Sequence, residues 1–131
     1  MNVYIDTSAF VKLISLEPET DALLQWLSEH RPTLFSSELL RTEAIRAVRR
    51  FDPAALLTAK ELLLTVNLLA MPSSTFARAA ELDPRILRSL DALHLASALD
   101  LGDDLDALIT YDDRLAEACA LHGVAVVAPS T

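Results

Sequence analysis

Short apolar runs alternate with longer helical segments along the whole chain, and few architectures accommodate that alternation. The runs occupy residues 2–6, 33–36, 68–71, 107–110 and 124–127. Each is too short for a helix with a buried face, and apolar residues dominate them, so each reads as a strand. Helical segments lie between them. One covers 18–30, with Pro18 in its first turn; others cover 37–51 and, after Asp52-Pro53, 53–66. A fourth follows Pro72-Ser73-Ser74 and ends near Leu82; a fifth is capped by Ser89 and closed by Gly102. The last is capped by Asp112 or Asp113 and ends before Gly123. Strands separated by helices pair through crossovers, which gives an α/β fold: a central parallel sheet flanked by helices on both faces. The 131 residues contain no linker, repeat or low-complexity stretch, so one domain is expected.

An open parallel sheet binds ligands beyond the carboxyl ends of its strands. Asp6 ends the first strand and Asp112 lies just past the fourth, so both belong to that edge. Each also stands at a helix start, where a capping carboxylate is ordinary, and the residues alone leave both roles open. Glu43 borders the apolar stripe of Leu40, Ala44, Ala47, Val48 and Phe51; it is either a site residue or a surface acid paired with Arg46. Asp91 lies in Leu90-Asp91-Ala92-Leu93-His94-Leu95-Ala96-Ser97-Ala98-Leu99, a segment apolar nearly all round, and projects with Leu95, Ala98 and Leu99. A buried carboxylate needs a cation or hydrogen-bond donors, unless it serves the helix N-terminus. His94 borders the same helix and is expected to bond to backbone or a neighbouring acid, outside the catalytic set. Acids gathered at one edge repel without a counter-ion, and an all-oxygen set suits Mg²⁺ or Mn²⁺. Zinc lacks ligands, because His30, His94 and His122 are scattered and Cys119 is the only cysteine.

With Asp+Glu 19 against Lys+Arg 11, the net charge of -8 opposes nonspecific affinity for nucleic acid. The local balance differs. Arg41, Arg46, Arg49 and Arg50 crowd the Glu43 helix and Arg85 and Arg88 precede Asp91, while Asp100, Asp103, Asp104 and Asp106 gather in an expected exposed loop. Arg46 and Arg50 flank Glu43 and are the candidates for holding phosphates, with solvated surface arginines as the plainer reading. Hydrophobic residues make up 52%, more than a domain this small can hide, so some apolar area should meet a partner. The leucines between Leu56 and Val66 fall on more than one helix face and suit a two-fold interface. The helix of Leu23, Leu24, Trp26 and Leu27, or that of Leu39 and Leu40, can seat an amphipathic partner, with Trp26 as its anchor or as a core residue. No apolar run is long enough to span a membrane and no basic-then-apolar leader opens the chain, so a cytoplasmic location is expected.

Four stretches taken together resemble a known family. Tyr4-Ile5-Asp6-Thr7-Ser8-Ala9, the Glu43 helix, Leu90-Asp91-Ala92-Leu93-His94-Leu95-Ala96 and Ile109-Thr110-Tyr111-Asp112 follow the order found in PIN-domain nucleases, and within them in the VapC toxins of bacterial toxin–antitoxin pairs. The resemblance implies four acidic metal ligands, which map onto Asp6, Glu43, Asp91 and Asp112. Asp113 adjoins the fourth position; Asp112 is preferred because it follows Thr110 by two residues. It also implies supporting hydroxyls on Thr7 or Ser8 and on Thr110, a Mg²⁺ or Mn²⁺ cofactor, and hydrolysis of RNA phosphodiester bonds by an activated water. A homodimer and a cognate VapB-type antitoxin, assembled into a heterotetramer or larger complex, are implied as partners. Two other readings compete: a PIN-like module that binds protein or RNA without catalysis, and another Mg²⁺-dependent phosphoryl hydrolase. Against the second, Ser8 stands where a haloacid-dehalogenase-type enzyme needs an Asp, and no Gly-rich phosphate loop is present.

Overall fold

The side chains of strand β1 (Asn2–Ile5) alternate between two apolar layers, and the rest of the molecule is arranged around that strand. In the computed structural model, which describes all 131 residues, Val3 and Ile5 point into a layer with Phe10, Leu23, Leu40, Ala44 and Ile109. Tyr4 points into the opposite layer with Leu95, Leu108, Leu115 and Cys119. All of these side chains are fully buried, as expected of a parallel sheet covered on both faces.

The five strands are all parallel, in the order β3-β2-β1-β4-β5, with β2 at Thr33–Ser37, β3 at Asn67–Leu69, β4 at Ala107–Ile109 and β5 at Val126–Val127. The chain builds outward from β1 to β3, then returns across β1 to lay down β4 and β5. The switch in direction therefore falls between β1 and β4, where a crevice opens at the carboxyl edge. Ile5 pairs in register with Ile109, so Asp6 and Thr110 leave adjacent strands side by side.

Helices α1 (Thr7–Phe10), α2 (Thr20–His30), α3 (Glu38–Phe51) and α4 (Leu56–Leu63) cover the first layer. Helices α6 (Ser89–Leu99) and α7 (Asp113–Leu121) cover the second, and α5 (Ser73–Ala80) packs on α6 through Ala79, Ala92 and Ala96. Ser37 caps α3 by accepting the Leu39 N–H at 3.3 Å. No helix is long and apolar enough to cross a membrane.

Several element ends differ from expectation, each for a local reason. Pro18 is not in a helix: the Thr20 N–H bonds the Glu17 carbonyl at 3.0 Å and the Thr20 hydroxyl donates to the Lys12 carbonyl, which closes a turn ahead of α2. The segment 53–66 starts as a 3₁₀ turn at Pro53–Ala55 and its helix ends at Leu63, where β3 has to begin soon after. Ser89 does not cap α6 with its side chain; Arg88 holds the cap position, and the helix stops at Leu99. Gly102, at φ +58°, turns the following 3₁₀ segment rather than the helix itself. Among the acids expected in a loop there, Asp100 accepts bonds from Thr75 and Arg78 on α5, while Asp103 and Asp104 are exposed.

Trp26 is partly buried against the first layer, and its ring is stacked by His30 at 4.2 Å. On α4, Leu63 is buried while Leu57 and Leu64 face solvent. Leu95→Ala should cost about 2–5 kcal/mol of stability, because the site is enclosed on every side. Leu64→Ala, at an 86% exposed position, should change stability by no more than about 0.5 kcal/mol. Urea unfolding of the two variants measures both values.

Candidate active site

Asp6 follows the last residue of β1 and caps α1, accepting the Ala9 N–H at 3.0 Å. It is 3% exposed, and hydroxyls complete its surroundings: Ser8 donates at 2.8 Å and Thr110 at 2.5 Å. Those hydroxyls also accept from the loop that follows β4. Ser8 takes the Tyr111 N–H and Thr110 the Asp112 N–H, each at 3.0 Å. Hydroxyls can accept and donate at once, so the two side chains tie the β1 and β4 ends together around one carboxylate. Burial pushes the Asp6 pKa up; the Thr110, Ala9 and Ser8 hydrogen bonds oppose the shift without cancelling it.

Glu43 projects from α3 toward α1 and α6. Its Oε1 accepts from the Thr7 hydroxyl at 2.9 Å and from His94 Nε2 at 2.6 Å. Burial disfavours its charge, but the bonds from His94 and Thr7 outweigh that effect and lower the pKa. Glu43 forms no ion pair with Arg46, so the surface-pair reading is set aside. His94 does bond a neighbouring acid, and its other nitrogen lies 2.8 Å from the Tyr4 hydroxyl.

Asp91 and Asp112 share one arginine. Arg88 reaches Asp91 Oδ2 through Nε at 3.2 Å and Asp112 Oδ2 through Nη2 at 3.1 Å. Asp112 also caps α7, its Oδ1 accepting the Arg114 and Leu115 N–H groups at 2.9 and 3.2 Å. The cap uses Oδ1 alone, which leaves Oδ2 for Arg88. Asp113, the first residue of α7, is exposed. Asp91 lies in the first turn of α6, yet its partner is Arg88 and not a backbone amide.

Hydrogen bonds connect Asp6, Asp112 and Asp91 at the carboxyl edge, and Glu43 joins them through the adjacency of Thr7 and Ser8 on α1. Thr7 and Ser8, adjacent on α1, serve Glu43 and Asp6; Thr110 joins Asp6 to the Asp112 backbone, and Arg88 joins Asp112 to Asp91. They do not form a ready-made cage, because no three acid, His or Cys side chains stand close enough together to grip an ion. Arg46 and Arg50 are exposed and, with Arg49, line a shallow depression of about 230 Å³ that contains no acid. In the sequence Arg88 counts only as one of two arginines preceding Asp91, Tyr4 has no role of its own and His94 stands outside the catalytic set. The signal was present: 88, 91 and 94 are successive i,i+3 neighbours, and Tyr4 shares the side of Asp6 by the two-residue period of a strand.

The PIN domain family model matches residues 3–121. Ribonuclease VapC46 of Mycobacterium tuberculosis (strain ATCC 25618 / H37Rv) is 43% identical over 128 residues, covering 98% of both chains. The chain belongs to the PIN-domain family, in its VapC group. Ribonuclease VapC35 of the same species is 40% identical over 130 residues, covering 97% of this PIN domain and 96% of VapC35. Among solved structures, a toxin–antitoxin complex from Klebsiella pneumoniae shares the fold with a TM-score of 0.75 at 22% identity, over 97% of each chain.

Acid titration should separate Glu43 from Asp6. The Glu43 pKa is lower in the folded chain than unfolded, so its stabilising contribution is present above the unfolded pKa and is lost as pH falls through the folded one. The Asp6 pKa is raised, so its penalty is present above the folded pKa and is relieved as pH falls. Metal-free Glu43→Gln should therefore lose less stability on acidification than the parent, and Asp6→Asn should lose more. Melting temperatures between about pH 7 and about pH 3 in chelator test both signs.

Proposed function

We propose that this protein is a Mg²⁺- or Mn²⁺-dependent endoribonuclease and the toxin of a type II toxin–antitoxin pair. One observation carries the reading. Four carboxylates from separate elements, Asp6, Glu43, Asp91 and Asp112, are linked at the carboxyl edge of the sheet on either side of its switch point. The donor set fits a hard divalent ion, because every candidate ligand is a carboxylate oxygen. Glu43 Oε2 and Asp91 Oδ1 carry no protein hydrogen bond, and Asp91 and Asp112 already share the charge of Arg88. Asp6, Glu43, Asp91 and Asp112 would hold the ion, whose charge would acidify an attacking water and stabilise the departing oxygen of an in-line displacement.

The remaining residues have supporting parts. Thr110 and Ser8 hold the Asp6 carboxylate, and Thr7 holds that of Glu43. Arg46 and Arg50 continue the Glu43 helix toward solvent and are free to meet RNA phosphates, which offsets the overall acidity locally. RNA as substrate is supported by curated relatives of 37% to 43% identity that are named ribonucleases. Water adds across the phosphodiester bond to leave a 5′-phosphate and a 3′-hydroxyl. Exposed Leu24, Leu57, Leu64 and Phe76 supply apolar area for a second copy of the chain and for a VapB-type antitoxin.

Incubation of cellular RNA with the purified protein and Mn²⁺, followed by sequencing of the new ends, tests the activity. Asp6→Asn and Asp91→Asn should abolish cleavage and the metal-induced rise in stability, about 2.7 kcal/mol at a hundredfold excess over Kd, while keeping the fold. Full cleavage by either variant in excess metal would refute the assignment. Arg46→Glu should weaken RNA binding and flatten its salt dependence by about one phosphate contact; an unchanged slope in a filter-binding titration would make Arg46 an ordinary surface residue.

A further inference from the structure

His94 is 3% exposed on a helix that, Asp91 apart, otherwise carries only Leu, Ala and Ser. A buried imidazole needs partners for both ring nitrogens. Here Nδ1 lies 2.8 Å from the Tyr4 hydroxyl, while Nε2 lies 2.6 Å from Glu43 Oε1. Tyr4 is itself fully buried on β1 and meets the His94 ring edge to face, with the ring planes at 77°. Helix α6 packs on one face of the sheet through Leu95 and Ala98, and α3 packs on the other through Leu40 and Ala44. The His94–Glu43 bond therefore connects the two helical layers around the carboxyl edge of the sheet.

The direction of each proton follows from the partners. An ionised carboxylate only accepts, so the short bond to Glu43 puts the proton on Nε2. With Nε2 carrying the proton, Nδ1 is left as an acceptor, and the Tyr4 hydroxyl 2.8 Å away is the group that donates to it. Thr7 donates to Glu43 Oε1 as well. Two donors thus converge on one oxygen of Glu43, and the other oxygen has no protein partner.

We propose that His94 is a positioning residue for the metal site: held by Tyr4, it donates from Nε2 to Glu43 Oε1 and, with Thr7, leaves Oε2 as the oxygen that ligates the cation. This rests on the metal-dependent reading above. Groups that hydrogen-bond to metal ligands restrict their rotation, and removing them costs about 10–100-fold in metal affinity or activity. A histidine that merely filled space between α3 and α6 would affect stability and leave the affinity of the folded protein for metal unchanged.

Mn²⁺ affinity of the full chain, read by calorimetry or electron paramagnetic resonance without RNA, separates the two roles. His94→Leu should bind Mn²⁺ about 10–100-fold more weakly, and His94→Gln, whose amide can still donate to Glu43, should recover most of the loss. Tyr4→Phe should weaken binding in the same direction, and it carries the comparison if His94→Leu does not fold. In a Glu43→Ala background, His94→Leu should have no further effect on Mn²⁺ affinity. Nitrogen NMR of the metal-free protein should find Nε2 of His94 protonated and Nδ1 accepting. Unchanged Mn²⁺ affinity in a folded His94→Leu or Tyr4→Phe variant overturns the proposal, as does a loss that persists without Glu43 or a proton on Nδ1 alone. In each of those cases the metal reading stands. A parent protein that binds no Mn²⁺ removes both.

Discussion

A carboxylate buried at the end of the central strand is the feature around which the molecule is organised. Asp6 cannot be solvated by water where it sits, so the chain surrounds it with donors: a backbone amide of α1, the Ser8 hydroxyl and the Thr110 hydroxyl. Each of those donors comes with a structural consequence. The amide starts α1, and the hydroxyls accept from the loop after β4, which holds Asp112 where it caps α7. Satisfying one buried charge thereby sets the geometry of both strand ends that flank the switch point.

The acids are kept apart as much as they are brought together. Like charges at one edge destabilise a fold, and each carboxylate has a different remedy: hydroxyls and an amide for Asp6, an imidazole for Glu43, and one shared guanidinium for Asp91 and Asp112. With its side chain 61% exposed, Arg88 is held by two ion pairs that are screened by solvent and individually weak. That contrasts with the contact of His94 on Glu43, in which the imidazole is buried and the carboxylate is largely shielded from solvent. Formal net charge describes none of this. Three arginines of α3 line a depression of their own, and the unpaired acids Asp103 and Asp104 lie on the 3₁₀ turn before β4, at its amino end.

Much of the architecture was legible because it rests on local rules. Alternating short apolar runs and helical segments require a parallel sheet, and the position of Asp6 and Asp112 relative to strand ends places them at one edge. The apolar helix 89–99 demanded that Asp91 have a partner, and it has one. Helix and strand limits were less legible. Pro18 is as acceptable in a turn as in a first helical turn, and the bond from Thr20 to the Lys12 carbonyl, which decides between them, joins segments that only the folded chain brings together.

The pattern of residue types thus specified the sheet and its covered faces, since periodicity and chain direction are properties of neighbouring residues, while the four acids were singled out as a set only by the family resemblance. Which group answers each acid was settled by long-range packing. Glu43 could equally have turned to Arg46 one turn away; it meets His94, 51 positions later, because α3 and α6 lie on opposite faces and converge at the sheet edge. Tyr4 reads as an ordinary strand residue until α6 is laid over it and its hydroxyl is 2.8 Å from that imidazole. Partner choice depends on distances between elements far apart in the chain, and those distances exist only once the two layers have closed on β1.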